Sequence, residues 1–400
     1  MPEHKKGVVP RLRFPEFRDA EEWKLKRLGK CLEYQQPTLY LVSDANYSDS
    51  YNIPVLTAGK TFLLGYTNEK NGVFREPLPV IIFDDFTTAT KFVDFPFKVK
   101  SSALKILQAK EGINIRFMYE LMQMISYEVG AHERHWISKF QPMFLPIPQS
   151  KEQQKIADCL SSLDEVIELE AQKLEAFKTH KKGLMQQLFP REGETTPRLR
   201  FPEFRNAGEW EVVTLKTLAV RRNERNSDGN LIQVLTNSAE EGVVNQRDYF
   251  DKDIAVQGNL KDYFIVDKGD FIYNPRVSAL APVGPISRNN IGKGIMSPLY
   301  TVFCFNRPNS DFYMYYFKST AWHSYLRKVG NIGARHDRIA ISNDDFMAMP
   351  VPDPLSAEQQ KIADCLSSLD EMIEFQAKKL EALKTHKKGL MQQLFPQEVD

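Results

Sequence analysis

The feature that most constrains the fold is a stretch of 39 residues that the chain contains twice. Residues 152–190 return as residues 358–396, and the two copies differ at only five positions. The differing pairs are Val166/Met372, Leu169/Phe375, Glu170/Gln376, Gln172/Lys378 and Phe177/Leu383. Copies this similar are expected to fold alike, so a structure assigned to one holds for the other.

Apolar residues recur within each copy in alternating steps of four and three residues, which is typical of the contact seam of a coiled coil. The seam residues are Ile156, Leu160, Leu163, Ile167, Leu174, Phe177, Leu184 and Leu188 in the first copy, and Ile362, Leu366, Leu369, Ile373, Leu380, Leu383, Leu390 and Leu394 in the second. Two seam positions are polar in both copies, Glu170/Gln376 and Lys181/Lys387, and polar seam residues can fix the register. The pattern predicts two long helices.

Each predicted helix has its own start and stop signals. Ser150 with Gln153, and Ser356 with Gln359, have the spacing of a capping box, and a Phe-Pro pair ends each copy. A glycine near the end of each copy, Gly183 or Gly389, destabilises a helix by ~1 kcal/mol relative to alanine. The alternative is therefore that each helix ends at Lys-Lys-Gly, about two turns earlier.

The polar seam positions favour one way of pairing the two helices. A parallel pair in register would place Lys181 opposite Lys387, whereas an antiparallel pair separates these two lysines. We therefore expect an antiparallel coiled coil within the chain, with each helix on the order of 55 Å long. Two separate amphipathic helices, each lying on its own domain, are the alternative.

A second repeat begins each half of the chain. Residues 10–18, with the sequence Pro-Arg-Leu-Arg-Phe-Pro-Glu-Phe-Arg, return as residues 197–205, and Trp23 returns as Trp210. The segments between the repeats, which we call the first and second inserts (residues 31–150 and 219–355), cannot be aligned with each other. A tandem duplication with alike ends and different middles suggests one scaffold that presents two recognition surfaces a fixed distance apart.

We predict an α+β fold with pseudo-twofold symmetry, in which two globular domains are separated by the coiled coil. The predicted parts are a first recognition domain (1–148), a first spacer helix (149–190), a linker (191–196), a second recognition domain (197–354) and a second spacer helix (355–396). Short β-type runs are expected at 51–56, 78–83, 91–95 and 97–100 in the first insert, and at 232–235, 263–266, 270–273 and 300–305 in the second. One helix is expected in each insert, at 114–129 and at 311–329.

Composition is that of an ordinary globular protein, with 42% hydrophobic and 26% charged residues. The N-terminal sequence lacks the apolar core of a secretory signal, the longest apolar run is too short to span a membrane, and the four cysteines form no Cys-x-x-Cys pair. We expect a reduced cytoplasmic protein with no membrane contact. The net charge of +1 does not by itself indicate a nucleic-acid partner, so any basic residues that bind DNA must be gathered on one face.

Three short motifs resemble catalytic or metal sites, but each lacks an essential residue. Residues 57–61 end like a phosphate-binding loop, yet Pro54 stands where the first glycine is needed. Residues 273–276 resemble the Asn-Pro-Pro-aromatic loop of amino-methyltransferases without its second proline and its aromatic residue. His132 and His135 have no further cysteine or histidine nearby to complete a metal site. We expect neither catalysis nor metal binding by this chain.

Stretches that mix basic, amide and hydroxyl side chains are better candidates, because these groups bind phosphates and base edges. Each stretch alone is more often a solvated surface. The candidate DNA-binding residues are Lys60, Thr88, Lys91, His132, Arg134, His135, Arg221, Arg222, Arg225, Asn274, Arg276, Arg335, His336 and Arg338.

The doubled Arg-Leu-Arg-Phe-Pro-Glu-Phe openings and the doubled Glu-Gln-Gln-Lys-Ile-Ala helices, in the order insert, helix, insert, helix, resemble the specificity subunits of type I restriction–modification systems. The resemblance covers essentially the whole chain. It implies that each insert is a target recognition domain for one half of a split DNA sequence, and that the helices form an antiparallel coil that sets the gap and docks methyltransferase subunits. Residues 84–91 and 269–276 resemble stretches that recur in such recognition domains.

The resemblance also implies partners and cofactors. We expect double-stranded DNA with a bipartite target, two methyltransferase subunits and a restriction subunit as partners. S-adenosylmethionine, ATP and Mg would be used through the other subunits and none would be bound by this chain. The alternative is a scaffold or adaptor that does not bind DNA, whose coil recruits partners while the inserts bind protein or glycan.

Overall fold

A computed structural model of the chain describes residues 8–57, 61–129, 133–249, 257–307, 310–332 and 337–396. The two repeated stretches form the long helices α3 (Ser150–Leu188) and α9 (Ser356–Leu394). Both helices run without interruption through Gly183 and Gly389. The prediction of two long helices is confirmed, and the earlier end at Lys-Lys-Gly is wrong.

The start of α3 differs from the predicted capping box. The Ser150 hydroxyl donates to the carbonyl of Gly112 (3.0 Å), and the Gln153 amide donates to the carbonyl of Pro148 (2.9 Å). The two side chains thus tie the helix start to the first insert instead of closing a capping box on the helix itself.

In the described residues of the first half, two short α-helices and nine strands precede α3. The helices are α1 (Leu28–Cys31) and α2 (Ile115–Gln123). The strands are β1 (Lys24–Arg27), β2 (Leu32–Gln35), β3 (Ile53–Leu56), β4 (Leu63–Thr67), β5 (Val80–Asp84), β6 (Thr90–Val93), β7 (Lys98–Val99), β8 (Leu104–Ala109) and β9 (Phe144–Ile147). A π-helical turn, Trp136–Phe140, precedes β9.

The second half has further helices and strands between α3 and α9. The helices are α4 (Leu215–Leu218), α5 (Gln246–Tyr249), α6 (Ser310–Tyr316), α7 (His323–Val329) and α8 (Asn343–Met347). The strands are β10 (Glu211–Thr214), β11 (Ala219–Arg222), β12 (Leu235–Ser238), β13 (Gly242–Asn245), β14 (Phe264–Val266), β15 (Phe271–Tyr273), β16 (Ile286–Arg288), β17 (Gly294–Met296), β18 (Thr301–Phe305), β19 (Asn331–Ile332), β20 (Ile339–Ala340) and β21 (Pro350–Asp353).

Contacts divide the chain into two compact units. Unit 1 is Met1–Gln172 with Ala377–Asp400, and unit 2 is Lys173–Gln376. Each unit therefore combines one insert, the first part of one long helix and the last part of the other.

The two inserts share one sheet topology, although their sequences do not align. Unit 1 has a four-stranded sheet in the order β2-β8-β5-β6, and unit 2 has the corresponding order β11-β18-β15-β16. The inner strands β5 and β15 are buried on both faces. Because successive side chains of a strand point to opposite faces, one face of each strand packs into the main hydrophobic core of its unit and the other into a smaller hydrophobic cluster. The strands at either end of each insert also pair with each other, β1 with β9 and β10 with β21.

The repeated opening stretch holds the long helices in each unit. The guanidinium of Arg13 donates to both carboxylate oxygens of Glu152 at 2.7 Å, and its repeat equivalent Arg200 binds Glu358 at 2.7 and 2.8 Å. The Leu12 amide in unit 1 donates to the carbonyl of Gln393 at 2.9 Å. In unit 2 the Leu199 amide likewise donates to the carbonyl of Gln187 at 2.9 Å. Each opening stretch thus binds the start of one long helix and the end of the other.

The helix segments within each unit are antiparallel, and the seam lysines explain why. In unit 1 the Lys387 ammonium lies 2.7 and 2.6 Å from the two carboxylate oxygens of Asp164. In unit 2 the repeat equivalents, Lys181 and Asp370, form the same ion pair. The predicted seam residues are all buried or half-buried, so the antiparallel pairing predicted from the lysines is confirmed.

Not every predicted element has the expected bounds. Helix α2 ends at Gln123, short of the predicted residue 129, and the helix predicted at 311–329 is two helices, α6 and α7. The strand predicted at 232–235 begins only at Leu235. In the described part of the chain, no helix is both long and apolar enough to cross a membrane.

Candidate nucleic-acid interface

In unit 1 the turn that follows the inner strand β5 is fixed by two buried carboxylates. Asp84 accepts from the Phe86 amide (3.0 Å) and the Thr87 hydroxyl (2.6 Å). Asp85 accepts from the backbone amide of Trp136 at 2.7 Å and pairs with the buried ammonium of Lys105 at 3.2 Å. The turn is therefore rigid, and it bonds directly to the segment that precedes the π-helical turn.

Three candidate residues lie around this turn with different exposures. Thr88 has a φ of 60°, an uncommon conformation for a β-branched residue. Lys91 lies on the edge strand β6 and Arg134 on the segment that bonds to Asp85; both side chains are exposed. Unit 1 thus has two exposed cations near one rigid turn.

His135 does not belong to this exposed group, so its assignment to a DNA-facing loop is wrong. Its side chain is fully buried, its amide donates to the Asp85 carbonyl (2.9 Å), and Nδ1 lies 3.2 Å from the Tyr127 hydroxyl. His135 anchors the turn from inside.

In unit 2 the corresponding loop follows β15 and is longer. An isolated antiparallel bridge joins Arg276 in this loop to Arg338, and both side chains are exposed. The Val277 amide donates to the Asp337 carbonyl at 3.0 Å, which fixes the two segments beside each other. Two arginines that are far apart in the sequence are thereby adjacent.

Asn274 positions this loop instead of facing outward. Its side-chain amide donates to the carbonyl of Asn237 at 2.8 Å, and its side-chain oxygen accepts from the Arg276 amide at 3.0 Å. Asn274 was predicted to bind DNA, but both of its side-chain polar atoms have partners within unit 2, which gives it a role inside the loop.

Of the remaining candidate arginines, on β11 and just after it, Arg222 and Arg225 are paired with acidic neighbours. Arg222 lies 2.6 Å from Asp267 and 3.1 Å from Asp270, and Arg225 lies 3.0 Å from Asp262. Burial raises the pKa of Asp270, while the Asp267 amide and the charge of Arg222 oppose that rise. Arg221 is half-buried, with its Nε atom shielded from solvent. Arg222 and Arg225 therefore stabilise unit 2 through ion pairs, and they are weaker candidates for binding a phosphate.

Four candidates, Lys60, His132, Arg335 and His336, lie outside the described residues, as does most of the motif at residues 57–61. Among the residues that the structure describes, no group of three acidic, histidine or cysteine side chains could hold a metal ion. Sequence reasoning missed Leu280, which is 71% exposed at the tip of the loop after β15. In the sequence, Leu280 is distinguished from its neighbours only as a large apolar residue within a loop.

Comparisons with known proteins all match one family, the specificity subunits of type I restriction enzymes. The family model for the type I restriction modification DNA specificity domain matches residues 20–179 and again 207–385. The specificity subunit of the type I restriction enzyme EcoR124I/EcoR124II from Escherichia coli is 47% identical over 32% of this chain and 33% of its own length. The MjaVIII specificity subunit from Methanocaldococcus jannaschii is 22% identical over 94% of this chain and 92% of its own length.

Solved structures have the same fold. A type I restriction–modification S subunit from M. genitalium superposes with a TM-score of 0.61 at 14% identity, over 98% of this chain and 100% of that one. A chain from a study of complex assembly in the type I system gives a TM-score of 0.51 at 16% identity, over 94% and 98% of the two chains. The match to the EcoR124I/EcoR124II subunit spans only about a third of that protein.

Proposed function

Because the chain belongs to the type I restriction modification DNA specificity family, we propose that it recognises a bipartite double-stranded DNA sequence, with one half bound by each unit. It acts as the non-catalytic specificity subunit of a larger complex. DNA chemistry is carried out by the other subunits.

One observation carries this proposal: the two units expose basic residues at the same place on the same sheet. The turn after β5 has Lys91 and Arg134 beside it, and the loop after β15 has Arg276 and Arg338. Among the described residues no carboxylate pairs with Lys91, Arg134 or Arg276, whereas Arg222 on β11 and Arg225 have acidic partners. Cations left free at matching positions suit phosphate binding.

The loops differ although the sheets correspond, and this supports recognition of two different half-sites. Five residues, 85–89, lie between the end of β5 and the start of β6, while the connection between β15 and β16 spans residues 274–285. Loops placed by a rigid scaffold are where binding specificity usually lies. The same scaffold can then recognise two unrelated sequences.

The helices supply the docking surfaces for two methyltransferase subunits. Leu169 and its equivalent Phe375 are 64% and 70% exposed, and Val166 and Met372 beside them are 42% and 44% exposed. Exposed apolar pairs at equivalent positions on otherwise polar helix faces suit two copies of one partner. The long helices set the gap between half-sites, and a restriction subunit joins the complex. S-adenosylmethionine, ATP and Mg are used by those partners.

The test is the salt dependence of DNA binding by the assembled methyltransferase. Sequencing methylated adenines in the source genome supplies the target duplex. The double variant Arg276→Ala/Arg338→Ala should bind this duplex about tenfold more weakly, because phosphate contacts are lost. Its affinity should also fall less steeply with salt, since each lost phosphate contact reduces the magnitude of the slope of log affinity against log salt by about 0.9.

Arg225→Ala is the matched control, because Arg225 is equally exposed but pairs with Asp262. Its affinity and salt slope should stay close to those of the unchanged complex. An unchanged slope in the double variant removes these arginines from the interface. A complex that binds the methylated sequence no better than a scrambled one refutes DNA recognition and favours the adaptor alternative.

A further inference from the structure

The loop between β15 and β16 exposes an apolar tip for which the fold of unit 2 has no use. Leu280 is 71% exposed, and its neighbours Ser278, Ala279 and Pro282 are also exposed. Val283, only three residues further, is completely buried. The loop thus buries one apolar residue and directs another to solvent.

The tip is held in one conformation by its own backbone. The Ser278 amide donates to the Ala281 carbonyl (3.0 Å), and the Ala281 amide donates back to Ser278 (3.2 Å). The buried Tyr273 hydroxyl donates to the carbonyl of Val283 at 3.0 Å. A rigid loop loses little conformational entropy when it binds a ligand.

The two arms of the loop approach each other closely at Gly284. This residue has a φ of +79°, and a Cβ built on it would lie 2.0 Å from the carbonyl oxygen of Asn274. The backbone amide of Asn274 in turn donates to the Pro285 carbonyl at 3.0 Å. The loop is therefore a closed, two-armed projection and not a single extended strand.

Two like charges stand at the base of this projection. Arg276 and Arg338 are bridge partners, and like charges directly opposite each other destabilise a strand pair. Among the described residues, Arg338 has a carboxylate oxygen within 4 Å only on Asp337, at 3.9 Å, and both side chains are about half exposed. An anionic ligand between the two arginines would offset their repulsion.

A leucine side chain can recognise only an apolar group on DNA. In the major groove that group is the C5 methyl of thymine, and this groove, about 12 Å wide, admits a two-armed element such as this loop. We propose that Leu280 contacts a thymine methyl in the half-site of unit 2, while Arg276 and Arg338 bind the adjacent phosphate. The inference rests on the proposed DNA recognition and adds the base type and the group contacted.

The experiment replaces each thymine of the methylated target by uracil, one position at a time, in duplexes bound by the assembled methyltransferase. Uracil keeps the hydrogen-bonding edge and lacks only the methyl group. The unchanged complex should bind one of these duplexes about threefold to fivefold more weakly, as expected for one buried methyl. Leu280→Ala should bind the thymine and uracil duplexes equally at that position. Leu355→Ala, at a leucine of unit 2 that is 59% exposed, is the matched control and should keep the difference.

Several outcomes overturn the inference. The unchanged complex could discriminate at no thymine, or Leu280→Ala could keep the discrimination. Loss of DNA bending in Leu280→Ala without methyl sensitivity, measured by energy transfer between the duplex ends, would indicate an apolar wedge in the minor groove. In all these cases binding to the methylated sequence persists. Failure of the proposed function differs, because the unchanged complex then shows no preference for that sequence.

Discussion

Lys181 and Lys387 occupy the same position in the two copies of the long helix, yet their surroundings differ, so the same substitution should have unequal effects. The Lys387 ammonium contacts Asp164 at 2.6 Å and a second carboxylate, Glu120, at 3.1 Å. The Glu120 side chain is fully buried. Lys181 pairs with Asp370, whose side chain is 43% exposed. Methionine keeps the apolar length of lysine and removes only the charge.

The magnitude follows from what each substitution leaves behind. Without Lys387, Glu120 and Asp164 share the single guanidinium of Arg116, which lies 2.8 Å from Glu120. Breaking a buried ion pair costs about 3–5 kcal/mol. Since Arg116 remains and Asp164 is partly exposed, we expect Lys387→Met to lower the free energy of unfolding of unit 1 by about 2–3 kcal/mol. Lys181→Met should cost unit 2 less, about 1 kcal/mol, because its partner Asp370 is 43% exposed and remains solvated when the lysine is lost.

Hydrogen exchange followed by mass spectrometry in increasing urea measures the two units separately, through peptides from α2 and from α6. Lys387→Met should increase exchange in α2 and leave α6 unchanged. The double variant Glu120→Gln/Lys387→Met should recover much of the loss, because it no longer contains the buried charge. Equal losses from the two lysine substitutions, or no recovery in the double variant, would refute the assignment of the cost to Glu120.

Two further predictions concern the long helices. Leu169→Ala and Phe375→Ala should each weaken binding of a methyltransferase subunit about tenfold without changing stability, because both side chains are exposed. Titration calorimetry measures the affinity, and Glu165→Ala and Glu371→Ala, at exposed positions of the same helices, are the controls. Unchanged affinity in the leucine and phenylalanine variants excludes this docking surface. Removing one heptad from both α3 and α9 should change the gap between half-sites but not the half-sites, as mapped by methylation; an unchanged gap with altered half-sites would contradict the role as spacer.

The parts of the fold that follow from local periodicity could be predicted, and the parts that depend on distant contacts could not. The seam of α3 and α9 and the separation of Lys181 from Lys387 are visible in the sequence. The aspartates that pair with these lysines are identified only by the structure. The common sheet of the inserts was missed because strand order depends on long-range pairing, which single strands do not encode.

The candidate site was predicted less well, since composition does not distinguish an anchoring residue from an exposed one. His135 and Arg134 are neighbours in a basic stretch, yet one is buried against Tyr127 and the other is exposed. Arg276 and Arg338 were both candidates, but their pairing across a bridge depends on the segment at Asp337. A loop position such as Leu280 has no periodic pattern from which exposure could be inferred.

The duplication can be explained by which contacts each segment makes. Arg13 and Arg200 must each bind a glutamate at a helix start, and Leu12 and Leu199 must each bind the end of the other helix, so both halves need the same opening and the same helix. Among the described residues, the hydrogen bonds given above for the loops after β5 and β15 lie within their own unit. Their sequences can therefore change without disturbing the helix contacts. A chain built in this way can keep both long helices alike while the loops of each unit change independently, as the proposal of two different half-sites requires.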